Sequence, residues 1–218
     1  TTVAFVKLVD GHATYAFYDE NTAGRMLSPA DLPRLTPAAN ALFFGGISLV
    51  NDPAANTYEA LQKEAAATRV TMIDPNFRAA FVDAQDALSP GTRERSMARV
   101  NRMMAMADIV KLADEEITKI FGTTDHAAFA RGLLAKGPKI VLITEGSKGA
   151  RAITAQHDRF VAATPVTVAD TVGAGDTFVG YLAAAIDAKL DIEAAMRRAA
   201  AAASLACLKE GAQPALPY

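Results

Sequence analysis

The chain has 218 residues, 51% of them apolar, and a formal net charge of −2; that is enough apolar surface for one sizeable core and excludes a disordered polymer. Its lysines and arginines are dispersed, which argues against a nucleic-acid or membrane-surface partner and in favour of small ones. The lone cysteine, Cys207, lies in an alanine-rich helical run and cannot close an internal disulfide, which suits a reducing cytoplasm and a packing role better than a nucleophilic one.

No apolar run is long enough to span a membrane, and the opening residues read as a strand without a signal peptide's profile. Val3 to Val9 and Ala13 to Phe17 flank Asp10-Gly11, a dipeptide suited to a tight turn, so the chain is expected to open with an antiparallel hairpin. Ser28-Pro29 starts a single helical turn before Pro33. Ala41 to Phe44 and Val70 to Ile73 are apolar runs of the kind found in strands buried on both faces, and Ala54 to Thr68 between them reads as a helix. A second helix, Gly91 to Ala107, has arginines on one side and a stripe of Met97, Met103, Met104 and Met106 on the other, a core-packing pattern.

The strand Ile109 to Leu112 leads into a helix from Asp114 to Phe121 stopped by Gly122. A further helix capped by Thr124 runs to Lys136 and is followed by the buried strand Ile140 to Thr144. Gly149 to Thr154 and Arg159 to Ala162 read as a hairpin, and helices are expected over Ala174 to Ala188 and Ile192 to Leu208. This alternation implies a mostly parallel sheet covered on both faces, with sites at the carboxyl ends of its strands.

The chemistry concentrates in Val168-Ala-Asp-Thr-Val-Gly-Ala-Gly-Asp-Thr-Phe-Val-Gly180, where strand-like residues pass through a glycine-rich turn into a helix. Gly173, Ala174 and Gly175 let amide N–H groups converge on an anion at the positive end of the helix dipole. Asp176 stands within that cradle, where a carboxylate can take a proton from a hydroxyl. A dinucleotide-binding turn fails on spacing, because Phe178 stands where the third glycine should be, and no Walker-type Gly-Lys-Ser/Thr occurs. A helix-start aspartate with no chemical role is the remaining alternative.

Asp74-Pro-Asn-Phe-Arg78 follows directly on a strand: Asn76 offers donor and acceptor, and Arg78 a fork for phosphate or paired oxygens, although the same residues could simply build an Asx-type turn. Thr144-Glu-Gly-Ser-Lys-Gly149 brings exposed amides to a strand end with Lys148 placed to screen phosphate, or is a plain connection. Lys111 either meets a ligand or points to water, and Glu116 suits the helix dipole whether or not it meets a metal. His12, His126 and His157 are scattered, so no structural metal is expected.

The full Asp170-Thr-x-Gly-Ala-Gly-Asp176 string, with Asp74-Pro-Asn-x-Arg78, Ala107 to Glu116, Thr144-x-Gly-x-x-Gly149 and Lys209 to Pro217, resembles the PfkB/ribokinase-like carbohydrate kinases, in particular their fructokinase and 2-keto-3-deoxygluconate kinase branch. The resemblance runs over 1–218 and implies a ribokinase-like three-layer α/β/α fold, with lid strands at about 1–18 and an α/β core at about 38–218. It implies ATP-dependent phosphorylation of a primary hydroxyl of a small sugar, fructose first, with Asp176 as base and Gly173, Ala174 and Gly175 as anion hole. Asn76, Arg78 and Tyr18 would bind the sugar, and Lys111, Thr144, Gly146, Lys148, Gly149, Gly211 and Ala212 the nucleotide. Glu116 would meet Mg2+, directly or through water, while Asp170 and the Val172 carbonyl would hold a monovalent cation such as K+. Lids of this kind pair between subunits, so a homodimer is expected.

Where many members carry Asn-x-x-Glu near the metal and phosphates, this chain has Ala113 and Glu116. The family's opening strand and glycine-rich sugar-contacting segment have no counterpart after Thr1, so the chain reads as N-terminally incomplete and, taken by itself, as poorly stable and inactive through exposed apolar surface. A 2-keto-3-deoxygluconate kinase is the neighbouring alternative; a non-catalytic sugar- or nucleotide-binding protein on the same fold is the alternative of another class.

Overall fold

The computed structural model describes residues 2–9 and 12–217, and the chain divides into two compact units, Thr1–Asp108 and Ile109–Tyr218. In the first, β1 (Val3–Val9) and β2 (His12–Tyr18) pair antiparallel with Val3 opposite Tyr18, as their β-branched and aromatic content favours. The Asp10-Gly11 turn expected between them lies outside the described residues. Phe17 leaves the hairpin to pack edge-on against Phe81, centroids 5.1 Å apart, in a cluster with Val50 and Val82. The single helical turn Pro29–Asp31 is closed by Ser28, whose N–H and hydroxyl donate to the Asp31 carboxylate at 2.8 and 2.6 Å.

Next come β3 (Ala41–Gly45), α1 (Ala54–Ala65) and β4 (Val70–Asp74), with β3 and β4 parallel and Gly45 opposite Asp74. Met72 and Ile73, on opposite faces of β4, are both buried. In β3, by contrast, Phe43 stays 48% exposed, against the expectation of burial on both faces; β3 has a strand neighbour on one side only among the described residues, so fewer elements cover it. The helix α2 (Ala79–Leu88) was not legible, because its buried side chains are the adjacent Phe81 and Val82, which make no helical stripe. It leads to α3 (Thr92–Met106) through the left-handed Gly91.

Met103 and Met104 are buried as the stripe predicts, but the arginine side is not uniformly solvent-facing. Arg99 is 5% exposed and donates to the Leu49 carbonyl at 2.9 Å, to Asp52 at 3.0 Å, to Asn56 at 2.7 Å and to Glu59 at 3.3 Å. Arg102 adds two bonds to the Glu59 carboxylate, at 2.6 and 3.0 Å. A buried guanidinium is tolerated because its fork is filled, and here it holds the segment after β3 against α3.

The second unit opens with β5 (Ile109–Ala113) and α4 (Asp114–Phe121), ended by the left-handed Gly122. The next helix, α5 (His126–Leu134), is capped by Asp125, whose carboxylate accepts the Ala128 N–H at 2.9 Å, instead of by Thr124; the cap needs an oxygen that reaches back over the first turn, and Asp125 is the residue next to it. β6 (Ile140–Thr144) lies parallel to β5, while β7 (Gly149–Ile153) and β8 (Asp158–Ala162) continue antiparallel. The unit closes with α6 (Ala174–Asp187) and α7 (Ile192–Ala206), which pack through Leu182, Ala185, Ala195, Ala199 and other small buried residues.

Candidate active site

The site in the second unit is built around the N-terminus of α6. The approach to it is not a strand, as Val168 to Asp170 suggest by composition: the Ala169 and Asp170 amides donate to the Cys207 carbonyl past the end of α7, at 2.8 and 3.4 Å, instead of to a sheet neighbour. Gly173 follows with φ of +82°, and a Cβ there would lie 2.7 Å from the Ala212 Cβ, so both conformation and space require glycine. The first intrahelical bond runs from the Thr177 N–H to the Gly173 carbonyl at 2.8 Å, and Ala174 turns its N–H to Thr171 at 3.2 Å. Helix geometry therefore leaves the Gly175 and Asp176 amides at the mouth of α6.

Asp176 is exposed in this first turn, open to a ligand and not turned into the core. Beside it lies a cation whose orientation the sequence left open. Lys111 of β5 is 6% exposed, and its Nζ stands 3.5 Å from where a Cβ on Gly175 would be. The strand thus delivers a buried ammonium to the helix mouth, and both helix dipole and lysine favour an anion there.

Other residues expected at a nucleotide lie at the ends of β5 and β6 and in the segment after α7. Ala113 and Thr144 are paired at the ends of β5 and β6, so Glu116 and the turn Gly146–Lys148 open from neighbouring strand ends. Glu116 accepts the Ala113 N–H at 3.4 Å in the first turn of α4. Thr144 donates its hydroxyl to the Leu112 carbonyl at 3.4 Å, the Glu145 N–H reaches the Gly149 carbonyl at 2.8 Å, and Lys148 is exposed. Asp170 accepts the Gly211 N–H at 2.9 Å and the Val172 N–H at 3.0 Å; these two donors hold its carboxyl below the ordinary aspartate range. Burial and the Asp170 charge push the Cys207 thiol up, as befits packing and not nucleophilic attack.

In the first unit, Asp74 and Pro75 are buried at the end of β4, Asn76 is half-buried with φ of +39°, and Arg78 is exposed at the start of α2. Sequence reading missed Gly46. A Cβ on it would fall 1.4 Å from the Pro75 carbonyl oxygen, so this glycine, legible as the second of a Gly-Gly pair after a strand, seats the Asp74–Arg78 turn. Tyr18 is 65% exposed at the end of β2, next to Phe17, which packs on Phe81 of α2. Tyr18 and Arg78 therefore sit on two elements that touch.

Among the described residues no helix is long and apolar enough to cross a membrane, and no group of three or more His, Cys, Asp or Glu side chains could hold a metal by itself. Alternating strands and helices, a small antiparallel hairpin and a glycine-rich turn opening α6 define a ribokinase-like α/β class. The chain matches the pfkB family carbohydrate kinase over residues 1–218, and it belongs to that family.

It is 49% identical over 184 residues to a fructokinase of Rhizobium leguminosarum bv. trifolii, which covers 84% of this chain and 54% of that protein; the chain thus spans about half the length of this relative. A fructokinase from Vibrio cholerae O395, solved in a fructose-, ADP- and calcium-bound form, superposes with a TM-score of 0.86 at 27% identity, over all of this chain and 70% of that one. A sugar kinase from Pyrococcus horikoshii in complex with ATP gives 0.82 at 26% identity, over all of this chain and 67% of that one.

Proposed function

We propose that the protein is an ATP-dependent sugar kinase acting on a primary hydroxyl, with fructose as first acceptor. The observation that carries the reading is the exposed Asp176 in the first turn of α6, with backbone donors and the buried Lys111 beside it. Asp176 takes the proton of the acceptor hydroxyl as its oxygen attacks the γ-phosphorus in line; the bond to the bridging oxygen breaks and ADP leaves. The Gly175 and Asp176 amides, with the Lys111 ammonium, meet the charge carried by the transferring group. Gly173 and Ala174 shape that turn.

Thr144, Gly146, Lys148, Gly149, Gly211 and Ala212 would line the nucleotide. Magnesium would neutralise phosphate charge, with Glu116 the carboxylate to meet it; an ion that takes most of its ligands from phosphate and water needs no protein cage. The Val172 carbonyl and the remaining lone pairs of Asp170 would serve a potassium ion. Asn76 and Arg78 would bind the sugar, Tyr18 would close over it, and the exposed Val3, Phe5 and Tyr18 of the hairpin support pairing of two copies through this lid. Because the Arg78 guanidinium is exposed and suits a carboxylate equally well, 2-keto-3-deoxygluconate is the second acceptor.

The test is ADP release with fructose, ribose and 2-keto-3-deoxygluconate, for the protein and for Asp176→Asn. Fructose turnover is expected, lowered by at least about 100-fold in the variant while ADP still raises its melting temperature. Near-normal turnover in the variant rejects Asp176 as base. Binding of ADP without turnover of any sugar, in a chain that carries the family's sugar-contacting segment, assigns the non-catalytic alternative.

A further inference from the structure

We propose that Asp170 is a positioning residue that fastens the anion-holding turn to the C-terminal segment, so that the two move as one piece; the proposal rests on the kinase reading above. Its carboxylate bridges two stretches far apart in sequence, one oxygen accepting from Val172 at 3.0 Å and the other from Gly211 at 2.9 Å. The Ala169 and Asp170 amides meet the Cys207 carbonyl, tying the same stretches through backbone at 2.8 and 3.4 Å. Gly173 seats directly on Ala212, with no room for a Cβ. Farther on, the Tyr181 hydroxyl of α6 donates to the Pro217 carbonyl at 2.5 Å, and Ala215 between these ties is buried.

Residues 207–217 form neither helix nor strand, so their path depends on these ties. A carboxylate suits the role because both oxygens only accept, whereas an amide in its place would turn an N–H donor towards one of the two N–H groups. The consequence is mechanical: whatever orders the segment around Gly211 and Ala212 presses on Gly173 and thereby orders the mouth of α6. In the kinase reading, the purine end of the nucleotide would set the amides that meet its terminal phosphate.

Asp170→Asn tests this in two independent ways. Amide hydrogen exchange, measured without nucleotide or sugar and so independent of any activity, is expected to quicken at both Val172 and Gly211; an unchanged Gly211 overturns the clamp. In kinetics, kcat is expected to fall about tenfold, the worth of one charge-assisted hydrogen bond, with the fructose KM unchanged, and to fall in tetramethylammonium as well as in potassium. A defect seen only with potassium makes Asp170 a cation ligand alone and overturns the proposal, as does an unchanged kcat with only a lower melting temperature. If Asp170→Asn does not fold, Ala212→Gly, which opens the seat of Gly173 and leaves the carboxylate intact, carries the test: lower kcat at constant sugar KM supports it, and unchanged kcat overturns it.

Discussion

Gly173 shows how one residue can be held by two independent constraints. Its φ of +82° disfavours any L side chain, and the Ala212 Cβ, 2.7 Å from where its own would stand, excludes even a methyl group. Gly173→Ala should therefore destabilise by about 1–3 kcal/mol and depress turnover, since the strain falls on the helix mouth. Pairing it with Ala212→Gly should recover much of the steric part, though the Ala212 Cα at 3.0 Å stays close, and leave the conformational part. Melting temperatures of the two variants separate these; equal losses would show that no contact with Ala212 matters. Much of this site was legible, because a short string of glycines and an aspartate has few physical uses. Lys111 was not: a strand lysine looks the same in sequence whether it faces water or is buried against Gly175.

Among the elements, α3 combines two kinds of arginine that sequence cannot tell apart. Arg99 is buried with its partners on α1 and on the segment after β3, whereas Arg102 has a side chain 56% exposed and meets Glu59. Arg99→Met should cost about 3 kcal/mol, because it strands the buried Leu49 carbonyl and removes the bonds to Asn56 and Glu59, while Arg102→Ala should cost less than about 1 kcal/mol. Urea denaturation of both variants checks the contrast, and similar losses would refute it. The helix α2 illustrates the opposite limit of legibility: adjacent buried residues carry no period, so only packing against Phe17 and Val50 reveals which face is inward.

At the scale of the molecule, stability should depend on pH through carboxylates in both units. Glu59 is lowered chiefly by its hydrogen bond from Arg102, with further help from the Arg102 and Arg99 charges, and Asp170 by the Gly211 and Val172 amides. A carboxyl whose folded value lies below its unfolded one contributes stability that is fully present above the unfolded value, about 4, and is lost as pH falls through the folded value. The melting temperature should thus fall as pH drops below about 4, and Glu59→Gln should lower it at neutral pH and flatten the acid slope; an unaltered slope would sink the assignment. By itself the sequence determined the alternation of strands and helices, the family and the glycine-aspartate turn, because hydrophobic period and backbone freedom are local properties. Only the tertiary structure decided that Lys111 faces inward, that Gly46 seats the Asp74 turn and that Asp170 ties the helix mouth to residues 207–212. Those depend on which distant segments the fold brings within a few ångströms, and no local pattern of residues encodes that.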